Sequence, residues 1–138
     1  MQNYAAKLVE KETSPKYYFM DTGLLGLMLM DCSSAQLENL VAIELIRRYG
    51  RENVFYFEKN VEIDFYVPEE KLAIQVSLQV LDQIDTRERE IGAFVKLKNF
   101  IGDATCLLIT NSEEAVLDCE GIRVEVIPIW KWLLMNDL

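Results

Sequence analysis

Two stretches of strict alternation, separated by a short turn, constrain the fold of this chain more than any other feature. From Val61 to Val67, Ile63, Phe65 and Val67 fall on one side, and Glu62, Asp64 and Tyr66 on the other. From Leu72 to Val80, Ile74, Val76, Leu78 and Val80 fall on one side, and Gln75, Ser77 and Gln79 on the other. A period of two belongs to β-strands with one apolar face. Pro68-Glu-Glu-Lys71 between them is a turn signal, so the pair reads as a β-hairpin. In that hairpin Asp64, Gln75 and Ser77 project from one face of neighbouring strands.

The elements around the hairpin place it in an α/β fold. Ser33 and Gln36 form a capping box that opens a helix reaching about Tyr49, with Gly50 as its stop. On this helix Glu44, Arg47 and Arg48 share a polar side, whereas Glu38 lies with Ala42, Leu45 and Tyr49 on an apolar strip. Val54 to Phe57 is a first strand. Asp85-Thr-Arg-Glu88 opens a second helix, with Asp85 as cap and an apolar stripe of Ile91, Phe94, Val95 and Ile101. Arg87 sits in its first turn, inside that stripe, and is expected to point toward the sheet. Cys106 to Thr110 is a continuous apolar run of the kind found in strands covered on both faces. Ile122 to Ile127 alternates up to Pro128, and Trp130 to Met135 reads as a terminal helical turn in which Trp130 and Trp132 pack. Before all this, residues 1–16 read as a short helix and turn, Tyr17 to Phe19 as a strand and Thr22 to Met30 as a helix. The expected organisation is an N-terminal helical lead-in over 1–30 and one domain over 31–138. The domain runs helix, three-strand meander, helix and two further strands, with a mixed central sheet and flanking helices.

Composition removes several classes of chemistry. The chain of 138 residues contains no histidine, which excludes Ser-His and Cys-His catalysis and histidine-ligated metals. A metal would have to be held by oxygen, which favours Mg²⁺ or Mn²⁺. Cys32, Cys106 and Cys119 are odd in number and widely spaced, as reduced cysteines of a cytoplasmic protein are. No Walker-type Gly-Lys-Ser/Thr loop is present, so this chain has no ATP site of that kind. No apolar run approaches the length of a membrane span, and the first residues lack the apolar core of a signal peptide. The net charge of −9 opposes diffuse binding to a phosphate backbone, although Arg47, Arg48, Arg51 and Lys59, and separately Arg87, Arg89, Lys96 and Lys98, form local basic groups.

Asp64, Gln75 and Ser77 on adjacent strands, with Glu38 on the preceding helix, resemble the core of the PD-(D/E)XK nuclease-like superfamily. That resemblance implies an Asp on one strand and an acid-x-Lys pair on the next, holding magnesium and a water against a phosphodiester. Over nearly the whole chain, Lys16-Tyr-Tyr-Phe-Met-Asp-Thr-Gly-Leu24, Leu37-Glu-Asn-Leu-Val-Ala-Ile-Glu-Leu45, Glu62-Ile-Asp-Phe65, Ile74-Gln-Val-Ser77, Thr86-Arg-Glu-Arg-Glu90 and Val126-Ile-Pro-Ile-Trp-Lys-Trp-Leu133 resemble the C-terminal domain of unknown function (DUF 4143) that follows AAA+ ATPase modules. By that resemblance the chain is a fragment or a stand-alone remnant of such an architecture.

Two departures bear on activity. The acid position is Gln75 and the lysine position is Ser77. The metal ligands the resemblance implies are therefore Asp64, Glu38 and Gln75, a weak set. Arg87 is either a partner for Glu38 or Asp64 or a stand-in for the lost lysine. Three readings follow. The first is a degenerate accessory module of an AAA+-type protein, not an enzyme, contacting DNA, an ATPase module or a full-length homologue. The second is a divergent Mg-dependent nuclease. The third is an assembly domain that self-associates.

Overall fold

The structure is a computed structural model and describes residues 2–3, 33–58 and 60–135. The strand expected over Tyr17 to Phe19 and the helix over Thr22 to Met30 lie outside the described residues. Gln2 and Asn3, expected in a helix, form instead a two-residue strand, β1.

In chain order there follow α1 (Ser34–Tyr49), β2 (Phe55–Phe57), β3 (Ile63–Val67), β4 (Leu72–Val76), α2 (Ile84–Ile101), β5 (Thr105–Thr110), β6 (Ala115–Cys119), β7 (Ile122–Pro128) and α3 (Ile129–Leu134). The sheet order is β1-β2-β3-β4-β5-β7-β6. β2, β3 and β4 form an antiparallel meander, β4, β5 and β7 run parallel, and β6 returns antiparallel to β7. The sheet is thus mixed. Helix α2 makes the crossover that two adjacent parallel strands require.

Alternation on the strands sorts the core into two layers. Leu107 and Ile109 of β5, with Phe65 and Ile74, pack against Leu37, Val41 and Leu45 of α1 and Trp132 of α3. Cys106 and Leu108 of β5, with Tyr66 and Ala73, pack against Ile91, Phe94 and Leu97 of α2. The apolar run of β5 is buried from Cys106 to Thr110 because helices cover both faces.

The α1 capping box is as expected: Gln36 N–H donates to Ser33 Oγ and Ser33 N–H to Gln36 Oε1. Gly50 ends the helix at φ 88°, in the region that favours glycine. Gly102 does the same for α2. The loop between β3 and β4 is a 3-10 turn over Pro68–Glu70, closed by Lys71 in the left-handed region.

Five expectations need correction. Three strands, not two, follow α2; β6 was hidden among the acids Glu113, Glu114, Asp118 and Glu120. β4 stops at Val76, short of Val80: two backbone bonds to the β5 side follow it, Ser77 N–H to the Ile109 carbonyl and Asn111 N–H to the Leu78 carbonyl, and then Val80 and Leu81 turn their N–H groups to Glu113 Oε1, at 2.6 and 3.2 Å. Gln83, not Asp85, occupies the cap of α2, and Asp85 lies within the first turn. Ile63 joins the α2-side layer, apart from Phe65 and Val67, where the β2–β3 register shifts between Phe55 and Phe57. Trp130 is 55% exposed, whereas Trp132 is fully buried. No described helix is long and apolar enough to cross a membrane.

Candidate functional site

The backbone ladder between β3 and β4 pairs Val67 with Leu72, Tyr66 with Ala73 and Phe65 with Ile74, then ends. The next opposed residues in that register are Asp64 and Gln75. There, side chains replace the ladder. Asp64 N–H donates to Gln75 Oε1 at 2.8 Å, and Gln75 Nε2 donates to the Glu62 carbonyl at 2.9 Å. In the opposite direction Val76 N–H donates to Asp64 Oδ2 at 2.8 Å. Gln75 is 3% exposed, so the two bonds of its amide satisfy a group largely withdrawn from water.

The chemistry of this latch explains the residue at 75. A glutamine offers both a donor and an acceptor, and the site uses both. A glutamate would offer only acceptors and would set a negative oxygen against the Glu62 carbonyl.

Asp64 and Gln75 line one cavity of about 440 Å³ together with Glu38 from the first turns of α1. The three residues expected to converge therefore do so. Glu62, Arg89 and Glu90 line the same cavity, and sequence reasoning had not placed them there. A signal existed for two of them. Glu62 shares the alternation of Asp64, and Glu90 precedes Phe94 and Leu97 by four and seven residues, the spacing of one helical face.

The cavity is acidic. Glu90 is 7% exposed, and Arg89 Nη2 reaches its Oε1 at 3.2 Å from an otherwise exposed side chain. Burial raises the Glu90 carboxyl above the ordinary carboxylate value; the Arg89 guanidinium offsets part of that, and the Glu62 charge adds to it.

Arg87 does not join the cavity. Its Nη1 donates to the Leu81 carbonyl at 3.4 Å, and it lines a separate groove with Ile91 and Leu117. The reason is helical phase: Arg87 and Ile91 stand four residues apart on the side of α2 toward β6, while Arg89 is rotated about 200° from Arg87. Arg89 is thus the guanidinium beside the acids. Ser77, at the lysine position, bonds through Oγ to the Gln79 carbonyl.

The residues fit a Mg²⁺ or Mn²⁺ ion poorly. Among the described residues no group of three or more Asp, Glu, Cys or His side chains converges closely enough to hold a metal. The Gln75 amide is engaged at both ends by backbone groups, Asp64 Oδ2 by the Val76 N–H, and a guanidinium shares the space. The arrangement ties two strand ends together under an acidic cavity. No family model matches the chain, and neither the curated proteins nor the solved structures contain a match to it.

Proposed function

We propose that this chain is an accessory module on a PD-(D/E)XK nuclease-like fold, serving an AAA+-type ATPase through protein contacts without cleaving phosphodiesters. The observation that carries the reading is the Gln75 latch: the amide standing where the resemblance implies a metal-binding acid is held by Asp64 N–H and the Glu62 carbonyl. Metal-assisted hydrolysis needs a bound cation, an activated water and positive charge at the phosphate. Ser77 supplies no such charge, and Arg89 lies against Glu90.

The order helix, antiparallel meander, helix, parallel strand supports the fold assignment. The net charge of −9, and a cavity lined by Glu38, Glu62, Asp64 and Glu90, support a protein partner over DNA, because carboxylates repel phosphates.

Supercoiled plasmid incubated with the chain and Mg²⁺ or Mn²⁺ tests this. The expected result is no nicking above the metal-only control. Robust nicking by the wild type that disappears in Asp64→Ala would replace this reading with that of a divergent nuclease.

A further inference from the structure

Among the described residues strand β6 ends the sheet, and β7 is its one neighbour. Its five residues pair with β7 in unbroken register, from Ala115 opposite Val126 to Cys119 opposite Ile122. Sheet edges are commonly protected by proline, lysine, a bulge or a covering segment. β6 contains no proline or lysine and no bulge, and its Val116 is 47% exposed.

Beside this edge runs a groove of about 520 Å³ between β6 and α2. Ile91, Gly92 and Val95 form its helical wall, and Leu117 stands on its strand wall. Gly92 lies inside α2, where glycine weakens a helix by about 1 kcal/mol relative to alanine. Its φ is not positive, and a Cβ built on it would meet nothing within 4 Å. The glycine therefore answers no local backbone demand and leaves the groove open. Along the groove stand three acids, Glu88 on the α2 wall and Asp118 and Glu120 on and just after β6, with Arg87 as the cation of α2 and Arg123 opposite Asp118 on β7.

The charges on β6 argue against a second copy as the occupant. Two-fold antiparallel pairing centred on Leu117 would set Glu114 against Glu120 of the other chain. Centring on Asp118 would oppose that residue to itself, and centring on Val116 would set Glu114 against Asp118. Like charges directly opposed across strands destabilise the pair. A basic strand meets the same positions favourably. Ala115 and Leu117 pack on the α2 side, opposite Val126 and Val124, so Val116 and Asp118 stand on the other face.

We propose that the β6 edge and this groove take up an extended peptide segment of alternating basic and apolar residues as an added strand. Its backbone pairs with β6, its apolar side chains lie against Ile91, Val95 and Leu117, and its cations face Asp118 and Glu120. The inference names the kind of partner the protein-contact reading requires. It stands on a different surface, so the plasmid assay and the experiment below fail independently.

The probe is a short fluorescent peptide of alternating lysine and valine, titrated into the whole chain and followed by anisotropy. Two controls are peptides with lysine-serine and glutamate-valine alternation. Binding of the lysine-valine peptide alone is expected. Asp118→Lys and Gly92→Leu should each weaken it about fivefold or more while leaving the thermal transition of the protein in place. In a Cys32→Ser background the bound peptide should also slow thiol labelling at Cys119, which is exposed on β6; Cys106 is buried, its thiol pushed up to about 11 chiefly by that burial. No binding, equal binding of the lysine-serine peptide, or affinity unchanged in both variants overturns the proposal. A concentration-dependent dimer of the chain alone, abolished by Asp118→Lys, assigns the edge to a second copy and overturns it as well.

Discussion

At Gln75 a single atom type decides what the site can be. Replacing the amide nitrogen by oxygen in Gln75→Glu removes the donor to the Glu62 carbonyl and buries a charge near Asp64 and Glu90. An unsatisfied buried group costs about 1–3 kcal/mol, and a charge more. Urea unfolding of Gln75→Glu at pH 7 is expected to show a loss of about 3 kcal/mol; unchanged stability would mean that the latch does not hold the strands. Glu90 carries the opposite sign of lesson. Its folded-state carboxyl is raised by burial, so the folded chain retains a proton that the unfolded chain releases. The stability tied to that proton is present below the ordinary carboxylate value and is lost as pH rises through the raised one. Glu90→Gln removes the titration. Relative to wild type the variant should therefore gain in melting temperature as pH rises from the ordinary carboxylate value through the raised one, and a gap that stays flat across the series would refute the assignment. The acid at 90 was passed over although its spacing to Phe94 and Leu97 carried a signal, and its partner carried none. Arg87 and Arg89 differ by two residues, and only the three-dimensional phase of α2 places the second beside Glu90 and the first in the groove by β6.

At the scale of elements, a buried cation adds to the apolar packing that links α1 and α3. Arg48 Nε lies 3.1 Å from Glu44 Oε2, its Nη2 donates to the Trp132 carbonyl at 3.0 Å, and its guanidinium sits 4.6 Å over the Trp132 ring. Burial alone would raise the Glu44 carboxyl, but the hydrogen bonds and charges of Arg47 and Arg48 outweigh it and hold it below the ordinary value. Arg48 Nη1 and Trp132 Nε1 are buried without a hydrogen-bond partner among the described residues, which subtracts from the gain. Arg48→Ala should destabilise by about 3 kcal/mol, since it empties the space over the indole and leaves Glu44 with the exposed Arg47. Arg48→Met keeps the bulk and removes the unpaired donor, and is expected to lose only about 1 kcal/mol; equal losses by denaturant unfolding would contradict this account. The pairing of Glu44 with Arg48 was readable from their i,i+4 spacing. The stack on Trp132 was not, because 84 residues separate the partners. The same divide runs through the strands. Alternation marks β3, β4 and β7, which each pair with two neighbours or bury one side. β6 lies at the edge and is half-exposed, so it carries no such apolar pattern, and it sits among the acids Glu113, Glu114, Asp118 and Glu120. The capping box of α1 was visible because its two partners are three residues apart. The bonds that Glu113 accepts from Val80 and Leu81, beyond β4, cross more than thirty residues.

For the whole molecule, one sheet serves two separate cores. Leu37 of α1 belongs to the layer with α3, and Phe94 of α2 to the layer on the opposite face; both are fully buried, and among the described residues the two layers share none. Leu37→Ala should cost about 3 kcal/mol and Phe94→Ala about 4 kcal/mol through lost burial and the cavity each leaves. With no common packing partner, their effects on stability should add to within about 0.5 kcal/mol in the double variant. Cooperativity is expected to survive, because β5 presents Leu107 to one layer and Leu108 to the other, and neither layer can melt without exposing that strand. Chemical unfolding of the milder single variant, followed by tryptophan fluorescence and by far-ultraviolet circular dichroism, checks this directly. Trp132 sits in the α1–α3 layer, whereas the dichroism is dominated by α1 and α2 on opposite faces. Coincident transitions are the expected result. An earlier loss of fluorescence than of helical signal in Leu37→Ala would mean that the α1–α3 layer unfolds on its own, and that the sheet does not couple its two faces.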